Sequence, residues 1–250
     1  MAVAVSSEPA APTAVRPRRV VTDRRGGRSA SPYDSFNLGG HVGDDPAAVA
    51  ANRQRLAAEL RAPAESLVWM TQVHGTGVAI VEDAAENPVA DVDALVTATP
   101  GLVLCVLVAD CVPVLLADPV AGVVAAVHAG REGVRRGVVP ATLAAMRRLG
   151  SRPADVEALL GPAVCGACYE VPAEMRDEVG AVLPGSATRT RRGTPGLDLR
   201  AGLRRQLAAL GVLRVGVDPR CTAEDPDLYS YRRDRRTGRL AAVTWLDPTP

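Results

Sequence analysis

The sequence contains no lysine, and all 29 of its basic residues are arginines. A chain without lysine forms neither a Schiff base through a side chain nor a Walker-type phosphate loop. Aromatic residues make up only 3% of the chain, which counts against a base-stacking surface. The formal net charge of +1 gives no electrostatic case for nucleic acid or a membrane surface as the main partner.

Histidine and cysteine are also scarce, with three and five residues respectively, and the odd number of cysteines argues against a complete disulfide framework. The first residues lack the basic and apolar regions of a signal peptide. Asp110, Pro113 and Asp118 interrupt the longest apolar runs, so we expect no membrane span. The expected compartment is the cytoplasm, where thiols stay reduced.

The composition is that of a globular protein with ample core: 250 residues, of which 47% are hydrophobic and 23% charged. Residues 1–16 are expected to form a disordered tail and residues 17–250 a single domain. Periodicity and capping signals predict helices over 46–60, 133–149, 171–182 and 199–210. Strands are predicted over 66–70, 77–81, 94–97, 102–108, 112–117, 122–127, 156–160, 213–217 and 240–246. Residues 184–197 are predicted to form a surface loop. Because predicted strands and helices alternate along the chain, we expect an α/β or layered α+β domain.

Cys111 and His128 each stand at the end of an apolar run, and His74 lies between two predicted strands. Functional side chains collect in loops at strand ends, although a histidine in such a loop can equally have no role. Two histidines and one cysteine form a ligand set that suits zinc, with copper as a competitor. Three protein ligands and one open position are typical of a catalytic metal site, so the sequence predicts such a site without fixing it.

Asp110 lies beside Cys111 and is predicted either to orient a ligand histidine or to act as a general acid or base. The alternative is a strand-end carboxylate bonded to nearby backbone amides. The pair Cys165 and Cys168 has the spacing of a redox motif but lacks its strand–helix context, and as half of a zinc site it lacks a second such pair. A structural role for these two cysteines is the favoured interpretation.

Arg53, Arg131 and Arg232 lie near polar turns, where a guanidinium suits phosphate or the oxygens of a sugar. Each of them, in a chain this rich in arginine, can instead be a solvated surface residue. Asn37, in a polar turn beside the only phenylalanine, is predicted either to cap a helix or to bind ligand.

Nine short motifs occur in order along the chain: Phe36-Asn37-Leu38-Gly39, Asn52-Arg53, Gln72-Val73-His74-Gly75, Ala109-Asp110-Cys111-Val112-Pro113-Val114-Leu115-Leu116, Ala125-Ala126-Val127-His128-Ala129-Gly130, Gly161-Pro162, Cys168-Tyr169-Glu170-Val171, Cys221-Thr222 and Ser230-Tyr231-Arg232-Arg233-Asp234. This ordered set resembles the YfiH family, long labelled multicopper polyphenol oxidase (laccase) and now regarded as purine nucleoside phosphorylase and adenosine deaminase. The resemblance spans about residues 30–246.

The resemblance implies a single four-layer α/β/β/α sandwich domain with catalytic function. It implies a metal, usually zinc, bound by His74, Cys111 and His128, the same three residues that ligand chemistry indicates. It also implies activity on adenosine, inosine, guanosine and methylthioadenosine, with phosphate as co-substrate. Some members are linked to removal of wrongly added amino acids from peptidoglycan precursors. The older laccase label fits poorly, since three histidines are too few for a multicopper site.

The chain departs from the family at two places. The family often reads HAGWRG, where this chain has Arg131 in place of the tryptophan and Glu132 in place of the arginine. The usual GPCI becomes Gly161-Pro162-Ala163-Val164. We therefore expect phosphate or substrate recognition to differ from that of a typical member.

The leading hypothesis is a zinc-dependent purine nucleoside phosphorylase with adenosine deaminase activity, in which Cys111 and Asp110 are catalytic and Asn37, Arg53, Arg131 and Arg232 bind substrate or phosphate. A second hypothesis is a cysteine-type amide hydrolase with Cys111 as nucleophile and His74 or His128 as base. A third is a non-enzymatic module held together by its metal, which chelation would unfold. The expected assembly is a monomer or a small homo-oligomer.

Overall fold

The structure, a computed structural model, describes residues 16–248. These residues form twelve strands: β1 (Arg16–Val21), β2 (Leu67–Val68), β3 (Val78–Ile80), β4 (Ala94–Thr97), β5 (Val103–Val108), β6 (Val112–Asp118), β7 (Val123–Ala129), β8 (Glu157–Leu160), β9 (Ala187–Arg189), β10 (Pro195–Leu197), β11 (Arg214–Val217) and β12 (Leu240–Asp247). They also form six α-helices: α1 (Pro46–Leu60), α2 (Arg131–Arg136), α3 (Val138–Arg148), α4 (Ala173–Val182), α5 (Leu199–Ala209) and α6 (Tyr231–Asp234). Over the described range, no helix combines the length and apolar character that crossing a membrane requires.

Two sheets form the centre of the structure. The smaller has the strand order β1-β12-β5-β2, and the larger has the order β11-β8-β6-β7-β4-β3. Strands β9 and β10 form a separate antiparallel hairpin. Within the larger sheet, β6 and β7 are antiparallel over seven residue pairs, from Val112 opposite Ala129 to Asp118 opposite Val123.

The central strands are buried on both faces, because each sheet is covered on both sides. In β6, Val114 and Leu116 belong to the core shared with the helices, whereas Leu115 and Ala117 belong to the core between the sheets. A strand that is apolar at every position, rather than at every second one, is the sequence pattern of this arrangement.

Helices form the two outer layers. Asp45 caps α1 by accepting a hydrogen bond from the Ala47 amide, and Pro46 occupies the first turn. Leu56 and Ala57 of α1 pack on the smaller sheet. Residues of α3, α4 and α5 pack on the face of the larger sheet that points away from the smaller sheet. The order of layers is therefore helix, sheet, sheet, helix, which confirms the expected α/β/β/α sandwich.

Several predicted elements differ from those observed. The helix predicted over 133–149 is divided into α2 and α3 at Gly137, whose φ of 92° is a left-handed conformation that ends the first helix. The loop predicted over 184–197 contains the β9–β10 hairpin. Strand β1 was not predicted, and its first residue, Arg16, pairs with Asp247 although it was assigned to the expected tail. The rest of that tail lies outside the described residues.

Candidate active site and metal centre

Strand register brings Cys111 and His128 side by side. Strand β5 of the smaller sheet ends at Val108 and β6 of the larger sheet begins at Val112, so the three residues that connect the two sheets include Cys111. Asp110 in this connection has a φ of 88°, a positive value that residues other than glycine seldom adopt. His128 lies opposite Pro113 in the β6–β7 ladder and therefore reaches the same end of the sheet as Cys111.

His74 arrives from the loop between β2 and β3, which is held by a buried carboxylate. Asp93 accepts hydrogen bonds from three consecutive backbone amides, those of Val73 (3.2 Å), His74 (2.9 Å) and Gly75 (2.6 Å). The left-handed residue of this loop is His74 itself, at a φ of 58°, and not a neighbouring glycine. Gly77 serves a close approach instead, since a Cβ there would lie 2.7 Å from the Asp91 carbonyl oxygen.

The three predicted ligands converge at this point. Nε2 of His74 lies 4.0 Å from Sγ of Cys111, and ligand atoms of His74, Cys111 and His128 all lie within 4.8 Å of one another. The two imidazole rings meet edge to face with centroids 4.7 Å apart. A zinc ion bonded to nitrogen at about 2.0–2.1 Å and to sulfur at about 2.3 Å fits a cluster of this size after small movements.

Asp93 also orients His128. Nδ1 of His128 lies 2.8 Å from Oδ1 of Asp93, and both side chains are almost completely buried. A carboxylate partner on Nδ1 leaves Nε2 as the free ligand atom, which is the usual arrangement behind a metal-binding histidine. The donor set and its carboxylate support therefore fit a metal.

In the metal-free protein, Cys111 and His128 each shift the pKa of the other. Burial by itself would raise the pKa of Cys111, but the charge and hydrogen bond of His128, together with His74, lower it to about 6. Burial by itself would lower the pKa of His128, but the Cys111 thiolate and Asp93 raise it to about 9. Without a metal, Cys111 and His128 thus form a thiolate–imidazolium pair at neutral pH.

Both oxygens of the Asp110 carboxylate accept hydrogen bonds. Its Oδ1 accepts hydrogen bonds from the hydroxyls of Thr222 (2.6 Å) and Ser230 (2.7 Å), and its Oδ2 accepts one from the Arg232 amide (2.5 Å). The carboxylate thus ties the turn before Cys111 to the start of α6.

A cavity of about 760 Å³ opens over the cluster. Its lining includes the three candidate ligands, Asp110, and five arginines: Arg53, Arg131, Arg232, Arg235 and Arg239. The arginines far outnumber the carboxylates of the lining, so the cavity favours anions.

Three of the lining arginines lie over aromatic rings, and Arg53 and Arg232 lie nearest to theirs. Arg53 lies 4.1 Å from the centre of the Trp69 ring, and Arg232 lies 5.0 Å from the centre of the Tyr169 ring. Each also donates to a backbone carbonyl, Arg53 to Leu38 and Arg232 to Glu170, which fixes the guanidinium at the wall.

Arg131 lies at the wall as an ion pair. Its Nη1 lies 2.7 Å from Oε1 of Glu132, and Arg135 also contacts that carboxylate at 3.1 Å. Positions 131 and 132 are those at which the chain departs from the HAGWRG motif. Arg131 lines the cavity, and its counter-charge, Glu132, lies in the first turn of α2.

Asn37 lies outside the cavity lining and is completely buried. Its Oδ1 accepts from the amides of Gly39 and Arg239, and its Nδ2 donates to Asp44. These bonds hold the backbone beside Arg239, which does line the cavity.

Sequence reasoning did not identify Asp93, although it directly precedes a predicted strand. It also passed over Gln72, whose amide bonds both backbone groups of Leu107, and over His41, Trp69 and Tyr169 as lining residues. Burial in the wall, then the charges of Arg239 and Arg53, lower the pKa of His41.

Comparisons with known proteins agree with this architecture. The family described as "Multi-copper polyphenol oxidoreductase laccase" matches residues 18–247. The chain is 60% identical to a purine nucleoside phosphorylase of Mycobacterium tuberculosis (strain ATCC 25618 / H37Rv) over 233 residues, 93% of each chain. The crystal structure of YlmD from Geobacillus stearothermophilus superposes with a TM-score of 0.88 at 35% identity, covering 95% of this chain and 94% of that one. The Bacillus licheniformis protein YfiH superposes with a TM-score of 0.87 at 31% identity, covering 92% and 93%.

Proposed function

The chain belongs to the multi-copper polyphenol oxidoreductase laccase family, which includes YfiH-type proteins, and on that premise we propose that it is a purine nucleoside phosphorylase. Its two substrates are inorganic phosphate and a purine nucleoside. The nucleosides that we propose are adenosine, inosine, guanosine and methylthioadenosine. Adenosine deamination at the same site is part of the proposal.

The observation that carries the proposal is the combination of a His–Cys–His cluster with five arginines in one cavity. A volume of about 760 Å³ lies in the range of small-molecule sites. Guanidinium groups bind phosphate through paired charge-assisted hydrogen bonds, so the arginine-rich wall supports phosphate as one of the substrates.

In phosphorolysis a phosphate oxygen forms a bond to C1′ of the ribose while the bond from C1′ to the purine nitrogen breaks. The electron pair of that bond leaves with the purine, which takes up a proton. We assign Arg131 and Arg232 to the phosphate, because both line the cavity next to Tyr169. Arg53, stacked on Trp69, is assigned to the nucleoside end.

The residues that would hold the metal are His74, Cys111 and His128, with Asp93 orienting His128. Zinc bound there would supply a Lewis acid that stabilises negative charge developing during the reaction. Copper is the competing ion for the same nitrogen and sulfur ligands. The three donors of Asp110 support a positioning role for this carboxylate, while its role as proton carrier stays a prediction.

A second candidate function rests on the charge state of Cys111. A pKa of about 6 for the thiol beside a histidine is typical of a nucleophilic cysteine, which supports a cysteine-type amide hydrolase with Cys111 as its nucleophile. The polyphenol oxidase reading has less support, since three histidines are too few for several copper ions.

Product analysis separates these functions. Zinc-loaded protein is incubated with inosine and with adenosine, each with and without phosphate, and the products are separated by liquid chromatography. Hypoxanthine from inosine only in the presence of phosphate is the expected result, and inosine from adenosine without phosphate would identify deamination. Turnover of neither nucleoside would contradict the proposal and turn attention to the amide hydrolase.

Two variants test the assigned residues. Arg232→Gln should raise the KM for phosphate by roughly tenfold or more, since a hydrogen bond to a charged group contributes about 1.5–3 kcal/mol. Arg148→Gln, at an exposed position in α3 away from the cavity, is the matched control and should leave that KM unchanged. Normal turnover by metal-depleted Cys111→Ala would contradict the metal-dependent mechanism.

A further inference from the structure

A second group of potential ligands lies behind one wall of the cavity. Cys165, Cys168, Cys221 and Glu224 each place one ligand atom within 4.8 Å of the others. The amide of Cys165 donates to Sγ of Cys221 at 3.3 Å, and Sγ of Cys168 donates to Oε1 of Glu224 at 3.1 Å. None of these four residues belongs to the His–Cys–His cluster.

The four residues come from two turns of the same construction. Cys165 and Cys168 are three residues apart, and so are Cys221 and Glu224. In the first turn the Cys165 carbonyl accepts hydrogen bonds from the amides of Cys168 (3.0 Å) and Tyr169 (2.9 Å). In the second turn the Cys221 carbonyl accepts from the amides of Glu224 (3.1 Å) and Asp225 (2.8 Å). Each turn therefore presents its first and fourth side chains to the other turn.

We propose that these two turns bind a second metal ion, a structural zinc ligated by Cys165, Cys168, Cys221 and Glu224. Four protein ligands in a tetrahedral arrangement close a zinc site, and pairs of ligands separated by two residues are the usual spacing. In the sequence, only the first pair, Cys165 and Cys168, consists of two cysteines with this spacing. The second pair has the same spacing but joins Cys221 to a carboxylate, Glu224.

The surroundings suit this ion. Three thiolates and a carboxylate around a divalent cation leave an excess of negative charge. Arg191, on the turn between β9 and β10, forms an ion pair with Glu224 and donates its amide to the Ala167 carbonyl at 3.0 Å. It therefore offsets part of that excess and attaches the hairpin to the first turn.

The position of the site gives it a structural role next to the cavity. Tyr169, directly after Cys168, lines the cavity. Thr222, directly after Cys221, donates to Asp110. An ion joining the two turns would hold the segment after β8 to the segment after β11, and with them two parts of the cavity wall.

Metal content of the full-length chain tests the site in a Cys111→Ala background, which removes the sulfur ligand of the first cluster. Cys111→Ala is expected to retain one zinc per chain by mass spectrometry of the metal. Adding Cys165→Ser and Cys168→Ser should abolish that zinc, whereas adding Cys105→Ala, a buried cysteine outside both clusters, should not. When cobalt replaces zinc, the thiolate-to-cobalt absorption should be present in Cys111→Ala. It should be absent once Cys165→Ser and Cys168→Ser are added.

Glu224→Gln in the same background guards against misfolding, because Glu224 is exposed. It should weaken zinc binding by at least the roughly 10–100-fold that loss of a supporting partner costs, as measured by competition with a chelator. Zinc should also raise the Tm of Cys111→Ala and of its Cys105→Ala derivative, but not that of the variant with two serines.

Three results would overturn the inference. These are a folded Cys111→Ala protein that binds no zinc, zinc binding unaffected by the two serines or by Glu224→Gln, and a Cys165–Cys168 disulfide found as a loss of two hydrogens in mass after purification without oxidant. None of them bears on phosphorolysis, which is assayed in protein with Cys111 intact.

Discussion

The Asp93 carboxylate connects two of the candidate metal ligands. One oxygen lies 2.8 Å from Nδ1 of His128, and the two oxygens together accept the backbone amides of residues 73–75, which carry His74. The pKa of Asp93 is lowered although burial opposes this, because His128 and the Gly75 amide bind its charged form. A single buried side chain thus sets the position of both histidines.

Asp93→Asn should weaken zinc binding at the His–Cys–His cluster by about 10–100-fold. The amide group keeps the shape of the carboxylate but replaces one acceptor by a donor, which then faces a backbone amide or His128. Chelator competition measures the affinity, with Asp83→Asn, at an exposed position, as the control. Unchanged affinity in folded Asp93→Asn would show that the carboxylate does not orient the ligands.

Alkylation of metal-free protein tests the state of Cys111. Its pKa is lowered to about 6, so the thiolate forms as pH rises through 6 rather than through the range of an ordinary thiol near 9. The rate of iodoacetamide modification, followed on the Cys111 peptide by mass spectrometry, should therefore rise with a midpoint near pH 6. Cys105, whose pKa burial raises, should remain unmodified in the native protein, and a Cys111 midpoint above 8 would contradict the ion pair.

At the scale of elements, the start of α2 is packed against the metal centre. Gly130 precedes this helix with a φ of −73°, a conformation open to any residue. A Cβ at this position would lie 2.9 Å from Cδ2 of His74 and 3.2 Å from Sγ of Cys111. Glycine is required here by the close approach of the ligands rather than by the backbone.

Gly130→Ala should therefore displace His74 and lower zinc affinity and activity while the protein stays folded. Gly216→Ala in β11 is the matched control, because its Cβ would meet Leu159 only at an ordinary distance of 3.6 Å. Zinc titration and circular dichroism of both variants give the comparison. Wild-type affinity in Gly130→Ala would mean that His74 does not need the space.

Element boundaries were predictable where the local signal was strong. The helix over 46–60 has its cap, its proline and its buried positions encoded within one segment, and the observed α1 has the same bounds. The division between α2 and α3 was missed, since Gly137 inside a helical pattern can be tolerated or can end a helix. Strand β1 was missed because Arg16–Val21 alternates exposed and half-buried residues at the edge of a sheet, with three arginines among six residues.

At the scale of the whole molecule, stability depends on the apolar layer between the two sheets. Leu115 of β6 is completely buried in that layer together with Leu95, Leu104 and Val106 from other strands. Hydrophobic burial of this kind is the main stabilising contribution to a folded domain.

Leu115→Ala should lower the free energy of unfolding by about 2–5 kcal/mol, through loss of buried surface and a cavity between the sheets. Val120→Ala, at a position 77% exposed in the turn after β6, should change it by no more than about 0.5 kcal/mol. Denaturant unfolding measures both values. Equal effects of the two substitutions would show that the inter-sheet layer is loosely packed.

The sequence by itself determined the central strands, the helix of residues 46–60 and the candidate ligands His74, Cys111 and His128, because apolar runs, caps and donor chemistry are local properties. Only the tertiary structure decided which distant residues meet. The Asp93 carboxylate lies 35 residues from His128, and Cys168 lies 56 residues from Glu224. Such pairs are fixed by strand order and register in the larger sheet, which arise from the packing of all four layers and leave no mark at either position alone.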